Sequence, residues 1–393
     1  MAFFRNNAVN LFNFHYAIHS IALSGGAAFF AVYLVKAGMS VPAALVAIGL
    51  IQATRFCIRP VVIGFAARWG LRQTLVTGTL LSALQYPLLA EVTGIGAVLY
   101  ALVVTSAIGD TFYWSSHHAY FATLGDDQHR GSQVGVRMAA GTIVGIFSPF
   151  VTGWLLVTFG PRAAFDASAV IVMIGALPLL WTPNVSVERH VAGGFRAAPQ
   201  GTALFVADGW VAAGVEFVWQ IALFESLGEN LLNYGGALAI AAIVGSISGM
   251  ILGRYIDAGH GVRMVWIAVG IFSAMIVLRA IAAGSPALAV AANALSPLGA
   301  CLYVPVLMTS VYTQAKRSPC VLRFHVATEG GWDIGNVAGC FTSAGLIASG
   351  LPLQTAILLS LIGTAVMFVM LHRYYTNNPG VPIEAMDDLV AHP

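Results

Sequence analysis

The chain has 393 residues, of which 58% are hydrophobic and only 9% are charged, and its mean hydropathy is +0.83. Soluble globular domains carry about 25% charged residues, so this composition excludes a water-soluble fold and predicts a chain that lives in lipid. The formal net charge of +2 is small, and no arginine-rich aromatic stripe points to nucleic acid.

Twelve long apolar runs follow one another along the chain. A membrane core is about 30 Å thick, and each helical crossing needs roughly 20 apolar residues. The runs lack the period-2 alternation of barrel strands, so we expect an all-α membrane protein with twelve transmembrane helices. The runs lie near residues 12–34, 41–63, 73–92, 95–121, 133–157, 164–182, 203–224, 235–255, 264–283, 287–312, 324–349 and 353–372.

The longest polar stretch between runs separates the first six from the last six. We predict an N-terminal six-helix bundle over residues 1–183, a cytoplasmic linker over 184–200, a C-terminal six-helix bundle over 201–375 and a cytoplasmic tail over 376–393. With twelve crossings both termini share one side. Most loop Lys and Arg residues fall on that side, whereas the opposite gaps hold only Lys36 and Arg162. This bias predicts a multi-pass protein of a bacterial-type inner membrane with both termini in the cytoplasm.

The first run carries His15 and His19, four residues apart. Two imidazoles at this spacing can share a metal ion or relay protons. No Glu follows the first histidine, so this is not a zinc-protease motif. The alternative is a pair of satisfied polar side chains in the helical core. The four cysteines are scattered and predict packing roles, and we assign no metal site and no cofactor.

The fourth run places a possible binding stripe on one helix. Asp110, Tyr113, Trp114 and His117 recur at i, i+3, i+4 and i+7, which predicts one helical face. A carboxylate, two aromatic rings and an imidazole on one face can bind an organic solute and carry a proton. Ionisable groups inside a membrane are costly and usually paired, so the alternative is a fixed ion pair between Asp110 and Arg55.

The seventh and eleventh runs hold further acids. Glu216 and Trp219 lie near the middle of the seventh run, and Glu216 has no basic neighbour in its own helix. On the eleventh run, His325, Glu329 and Asp333 recur at four-residue intervals and share a face. Two carboxylates so close together favour proton exchange. The alternative for His325 and Glu329 is anchoring against nearby loop basic residues.

Two gaps and two helices repeat between the halves. Helix 5 carries Gly141-x-x-x-Gly145 and helix 11 carries Gly335-x-x-x-Gly339, a spacing that lets helices approach closely. The repeated gaps contain, after helix 2, Arg68, Gly70 and Arg72, and, after helix 8, Gly253, Asp257, Gly259 and Arg263. On these residues the chain resembles the major facilitator superfamily (MFS) along essentially its whole length. In that family this gate loop latches the two halves on the cytoplasmic side. The first copy departs from the pattern, because Ala67 stands where an acid is expected.

The resemblance implies the MFS fold, in which two pseudo-symmetric six-helix bundles surround a cavity lined by helices 1, 4, 7 and 10. It implies a monomeric secondary active transporter rather than an enzyme, with a small solute and protons as its partners. Ser148 stands before Pro149 where the drug-export motif has glycine. We therefore favour import of an amphipathic organic solute or a metal chelate. The alternatives are a drug or metabolite efflux antiporter, and a metal-ion importer that uses His15 and His19.

Two other classes fit less well. A haem protein needs histidines at matched depth on facing helices, which the spacing of these histidines does not offer. A sensor on the same fold would need a cavity that never changes its accessibility. No phosphate-binding loop occurs, so direct use of ATP is not expected.

Overall fold

A computed structural model describes residues 6–124, 130–189, 191–196, 198–256 and 261–378. These residues contain helices and no strand, and we number twelve helical segments in chain order. Their bounds are α1 Asn7–Lys36, α2 Val41–Trp69, α3 Leu71–Ala90, α4 Ala97–Leu124, α5 Arg130–Thr158, α6 Gly160–Trp181, α7 Pro199–Ser226, α8 Leu231–Ile256, α9 Gly261–Ala282, α10 Pro286–Lys316, α11 Val321–Ala348 and α12 Leu353–Asn377.

Most of these helices can span a membrane on their own composition. In the described part of the chain, nine are long and apolar enough to cross a bilayer, and α5 contributes a shorter apolar helix, Val144–Thr158. Helix α11 falls outside the nine, and it carries Arg323, Glu329 and Asp333. Polar side chains concentrate on this helix although it packs inside the bundle, which already marks it as a site of function.

The helix ends follow local sequence signals. The Asn6 side chain accepts a hydrogen bond from the Val9 amide at 3.1 Å and caps α1, and Ser40 does the same for α2. Gly70 ends α2 at a φ of +85°, a conformation that favours glycine. Most connections between consecutive helices are short, so these helices run antiparallel. We call the end of the bundle that holds Asn7 and Asn377 the terminal end, and the opposite end the distal end.

The two halves repeat one packing order. In the N-terminal half the helices contact one another in the order α2, α4, α3, α6, α1, α5. In the C-terminal half the order is α8, α10, α9, α12, α7, α11, which is the same sequence with each number raised by six. The chain therefore forms two pseudo-symmetric six-helix bundles, as the sequence predicted.

The halves meet along two helix pairs, α2 with α11 and α5 with α8. They also touch at the distal end, where the Tyr234 hydroxyl of α8 donates to the Ala28 carbonyl of α1 at 3.0 Å. Nearby, Lys36 Nζ donates to the Glu229 carbonyl at 3.3 Å. These distal contacts must break if a cavity between the halves is to open toward that end.

Helix α11 approaches α7 through a row of glycines. Gly331, Gly335 and Gly339 recur every four residues, and a Cβ at Gly335 would collide with the Val206 carbonyl of α7. Glycine rows of this kind let helix backbones come close in a membrane.

We expect Gly335→Ala to destabilise the protein by about 1–3 kcal/mol, because overpacking forces the α7 and α11 backbones apart. The matched control is Gly345→Ala on the same helix, where an added Cβ meets nothing within 4 Å. Melting temperature in detergent measures both. Equal melting temperatures for the two variants would show that the close approach of α7 and α11 does not contribute to stability.

Candidate functional site

Five ionisable side chains form one buried cluster between α2, α4 and α11. Arg59 Nε lies 2.5 Å from Asp333 Oδ2, and Arg55 Nε lies 3.3 Å from Asp333 Oδ1. Glu329 Oε2 lies 3.6 Å from Arg59 Nη2 and 3.9 Å from Arg55 Nη2. Asp110 Oδ2 lies 3.9 Å from Arg55 Nη1. We call these five residues the charge cluster.

The charge cluster joins the two halves of the protein. Arg55, Arg59 and Asp110 belong to the N-terminal half, whereas Glu329 and Asp333 belong to the C-terminal half. Every contact between an arginine and an α11 carboxylate therefore crosses the interface. Removing one partner of a buried ion pair strongly destabilises a protein, because the other charge is left buried without a counter-ion. The charge cluster therefore constrains the packing of α2 against α11.

The charges in the cluster do not balance. Two guanidinium groups face three carboxylates, so the fully ionised cluster has a net charge of 2 − 3 = −1. Asp333 is wholly buried and contacts both arginines, whereas Asp110 is 28% exposed and contacts only Arg55. Asp110 is therefore the least compensated carboxylate and the one best placed to carry an additional proton.

The side chains of the predicted stripe on helix α4 differ in how deeply they are buried. Asp110, Trp114 and His118 are partly accessible and recur every four residues. Tyr113 and His117 are 1% and 2% exposed, and their rings lie against α1. The four residues from Asp110 to His117 span one arc of the helix, and the Trp114 ring contacts those of Tyr113 and His117 at 5.1 and 5.7 Å.

The two histidines of α1 are held in the N-terminal half. His15 Nδ1 lies 2.7 Å from the Gly175 carbonyl, which can only accept, so this nitrogen carries the proton. His15 Nε2 then accepts from the Tyr113 hydroxyl at 3.4 Å. The His19 ring stacks on Tyr113 with centroids 4.1 Å apart. The described residues contain no group of His, Cys, Asp or Glu suited to a metal ion.

A pair of imidazoles crosses between the halves near the terminal end. The ring of His118 on α4 stacks with that of His325 on α11 at a centroid distance of 6.3 Å, and Trp114 stacks on His118 at 5.9 Å. His325 also contacts the rings of Tyr312 and Phe324. Glu329 does not anchor the helix against basic residues of the loop, which was one alternative predicted from sequence. Its carboxylate faces Arg55 and Arg59 of α2 instead.

Helix α7 contributes two acids from the C-terminal half. The Tyr303 hydroxyl of α10 donates to Asp208 Oδ1 at 2.5 Å. Glu216 lies in a π-helical turn, Ala213–Val218, and its side chain is exposed although α7 is an inner helix. Single π-helical turns often occur at functional sites, where they rotate a side chain out of the regular helical register. Trp219 Nε1 donates to Asn293 Oδ1 at 3.1 Å, which ties α7 to α10.

The gate-loop residues are described only in part. Arg72 donates to the Thr182 carbonyl at 2.9 Å, and the Asn184 side chain, which a Cβ at Gly70 would meet, binds the Trp69 carbonyl at 2.8 Å. The first copy of the loop is therefore fastened within its own half. Arg68 and Arg263 are exposed, Gly253 lies in α8, and Asp257 and Gly259 lie outside the described residues.

Three residues of the site were not predicted from sequence as functional candidates: Arg59, His118 and Arg279. Arg59 was the most accessible to prediction. It follows Arg55 by four residues on an apolar helix, the same spacing that drew attention to Glu329 and Asp333. A second intramembrane arginine on the same face is a signal of paired acids elsewhere.

Comparison with known proteins agrees with this architecture. A family model described as Major Facilitator Superfamily matches residues 12–318, well over half of the chain. A crystal structure of a mutant of the nucleoside transporter NupG aligns with a TM-score of 0.67 at 13% identity, covering 94% of this chain and 100% of that one. At this identity the likeness shows the fold alone, and a search of curated protein sequences found no match. Two six-helix bundles joined through a buried charge cluster, together with the family match, show that the chain belongs to the Major Facilitator Superfamily of secondary transporters.

Proposed function

We propose that the protein imports a small amphipathic organic solute together with protons, by alternating access between its two halves. The observation that carries this proposal is the charge cluster, which bridges the halves and holds one more carboxylate than guanidinium groups. A buried site with an odd negative charge has a strong electrostatic reason to take up one proton. The direction of transport and the identity of the solute belong to the proposal.

The proton has a defined mechanical effect in this scheme. Protonation of Asp110 removes its attraction to Arg55 and lets that arginine pair fully with Glu329 and Asp333. Loss of the proton draws Arg55 back toward α4. The cluster thus has two arrangements that differ in how tightly α2 binds α11, which is the kind of bistable element that alternating access requires.

The terminal and distal contacts oppose each other. The charge cluster and the His118–His325 pair hold the halves together on the terminal side, and Tyr234 and Lys36 hold them together at the distal end. A transporter opens one end at a time, so a proton on Asp110, which strengthens the pairing of Arg55 with α11, favours the state that opens at the distal end. We further propose that the terminal side faces the cytoplasm, on the basis of the excess of basic loop residues there.

Reconstituted protein tests the coupling. In liposomes loaded with a pH-sensitive dye, we expect solutes that the protein moves inward to acidify the interior, with no such change in protein-free vesicles. The solutes tested are nucleosides, aromatic carboxylates, organic cations and metal chelates. The uptake of each solute into the vesicles is measured alongside the internal pH. Solute uptake with no accompanying proton movement would refute the coupling and leave transport itself standing.

The other functions differ in their support from the structure. Efflux of a drug or metabolite would use the same cluster and reverse the direction, so counterflow in the same vesicles separates it from import. The geometry does not support metal-ion import through His15 and His19, because both ring nitrogens of His15 already form hydrogen bonds with protein groups.

A further inference from the structure

The C-terminal half contains a cavity of about 240 Å³ between α7, α8, α9 and α10. Most of its wall is apolar and is formed by side chains such as Val215, Phe272 and Met275. Three polar residues face it: Arg279 on α9, and Asn293 and Ser296 on α10. We call this space the C-half cavity. An apolar pocket with a few convergent polar groups is the usual form of a small-molecule site.

The guanidinium group of Arg279 is hydrogen-bonded to the protein through only some of its N–H groups. Its Nε donates to Ser296 Oγ at 2.8 Å, and its Nη1 donates to the Val215 carbonyl, inside the π-helical turn, at 2.9 Å. The guanidinium also lies over the Trp219 ring at 5.2 Å. These two hydrogen bonds use two of its five N–H groups, and the described residues supply no acceptor for the other three.

The charge of Arg279 has no close counter-ion. Among the described residues, no carboxylate lies within 4 Å of its nitrogens, in contrast to Arg55 and Arg59. Glu216 directly follows Val215 on the π-helical turn, and Arg279 binds the carbonyl of Val215 rather than the Glu216 carboxylate. A partly buried guanidinium with free donors is the group that proteins use to bind carboxylates in a bidentate manner.

We infer that the C-half cavity binds the carboxylate of the transported solute on Arg279, with the apolar body of the solute against Val215, Phe272 and Met275. This inference rests on the proposed transport function and narrows its solute to small carboxylic acids with an aliphatic or aromatic body. The volume of the cavity suits an acid with one ring or a short chain. A cationic solute does not match this site, because Arg279 would repel it.

Shape-matched ligands test the site in the purified full-length protein. The probes are 3-phenylpropanoate, 3-phenylpropanamide and 3-phenylpropylammonium, which differ mainly in charge, and a rise in melting temperature reports binding. We expect the carboxylate alone to stabilise the protein. Arg279→Gln should weaken carboxylate binding at least tenfold. Arg162→Gln is the matched control, because Arg162 is a distal-end arginine exposed to solvent.

A second variant covers the event that Arg279→Gln does not fold. Ala300→Phe fills the C-half cavity and leaves Arg279 in place, so it should abolish carboxylate binding as well. The inference is overturned if carboxylate and amide stabilise equally, or if both variants bind the carboxylate as the unaltered protein does. Proton-coupled uptake with no carboxylate binding would sink this inference alone, whereas carboxylate binding without proton movement would sink only the proposed coupling.

Discussion

Replacing Arg59 by Gln should lower the free energy of unfolding by about 3–5 kcal/mol and abolish transport, because it strips a buried carboxylate of its nearest counter-ion. Arg59 is 3% exposed and contacts Asp333, Glu329 and Ser115 at once. The substitution changes the cluster from 2 − 3 = −1 to 1 − 3 = −2. Denaturant or thermal unfolding in detergent, with uptake in vesicles, measures both effects.

The net charge of the cluster also predicts a partial rescue. Adding Glu329→Gln to Arg59→Gln returns the cluster to 1 − 2 = −1, so the double variant should be more stable than Arg59→Gln alone. Arg68→Gln is the control, since Arg68 is an exposed arginine on the same helix and should change stability by less than about 0.5 kcal/mol. If Arg59→Gln melts at the same temperature as Arg68→Gln, the cluster does not hold the halves together.

The sequence predicted the helices well because that signal is local. Each apolar run carries its own length and breakers, so the eleventh run, expected at 324–349, differs by at most three residues at either end from the observed helix Val321–Ala348. The arrangement of the helices in two pseudo-symmetric bundles followed from the family resemblance rather than from any run by itself. Intramembrane acids were conspicuous for the same local reason, since each stands out against its apolar neighbours.

The ion-pair partners of these residues, and the helix faces that carry them, could not be predicted from local sequence. The contact between Arg59 and Asp333 joins residues 274 positions apart, and no local pattern encodes it. On α4, polar and aromatic side chains occupy both faces, so spacing alone could not decide that His118 rather than His117 faces α11. The π-helical turn of α7 shifts the register of Glu216, and a regular 3.6-residue helix gives no indication of this shift.

The two aspartates of the charge cluster have different surroundings, which indicate different roles. Asp333 is wholly buried and bridges both arginines, so it belongs to the joint between α2 and α11. Asp110 is more exposed and touches only one arginine, at 3.9 Å. A proton that enters from the space between the halves therefore meets Asp110 before it can reach Asp333. This difference predicts that the two residues fail in different ways when they are changed.

Replacing Asp110 by Asn should leave a folded, solute-binding protein that no longer concentrates its solute. The variant cluster is balanced at 2 − 2 = 0 without any proton, so the arginines pair with Glu329 and Asp333 at every pH. Exchange of labelled for unlabelled solute should continue, because it needs only alternation of the loaded protein. Accumulation driven by a pH gradient should fall to the equilibrium ratio of about one, since a solute moved without a proton gains no energy from that gradient.

The measurement compares gradient-driven uptake with exchange in the same proteoliposomes. Glu91→Gln is the matched control, because Glu91 is a half-exposed acid at the distal end that pairs with Arg162 at 2.7 Å and should not affect coupling. An Asp110→Asn variant that still accumulates solute would move the proton site to another acid of the cluster, or to Glu216. An Asp110→Asn variant that loses exchange as well would show that Asp110 belongs to the joint, with Asp333, and not to the proton pathway.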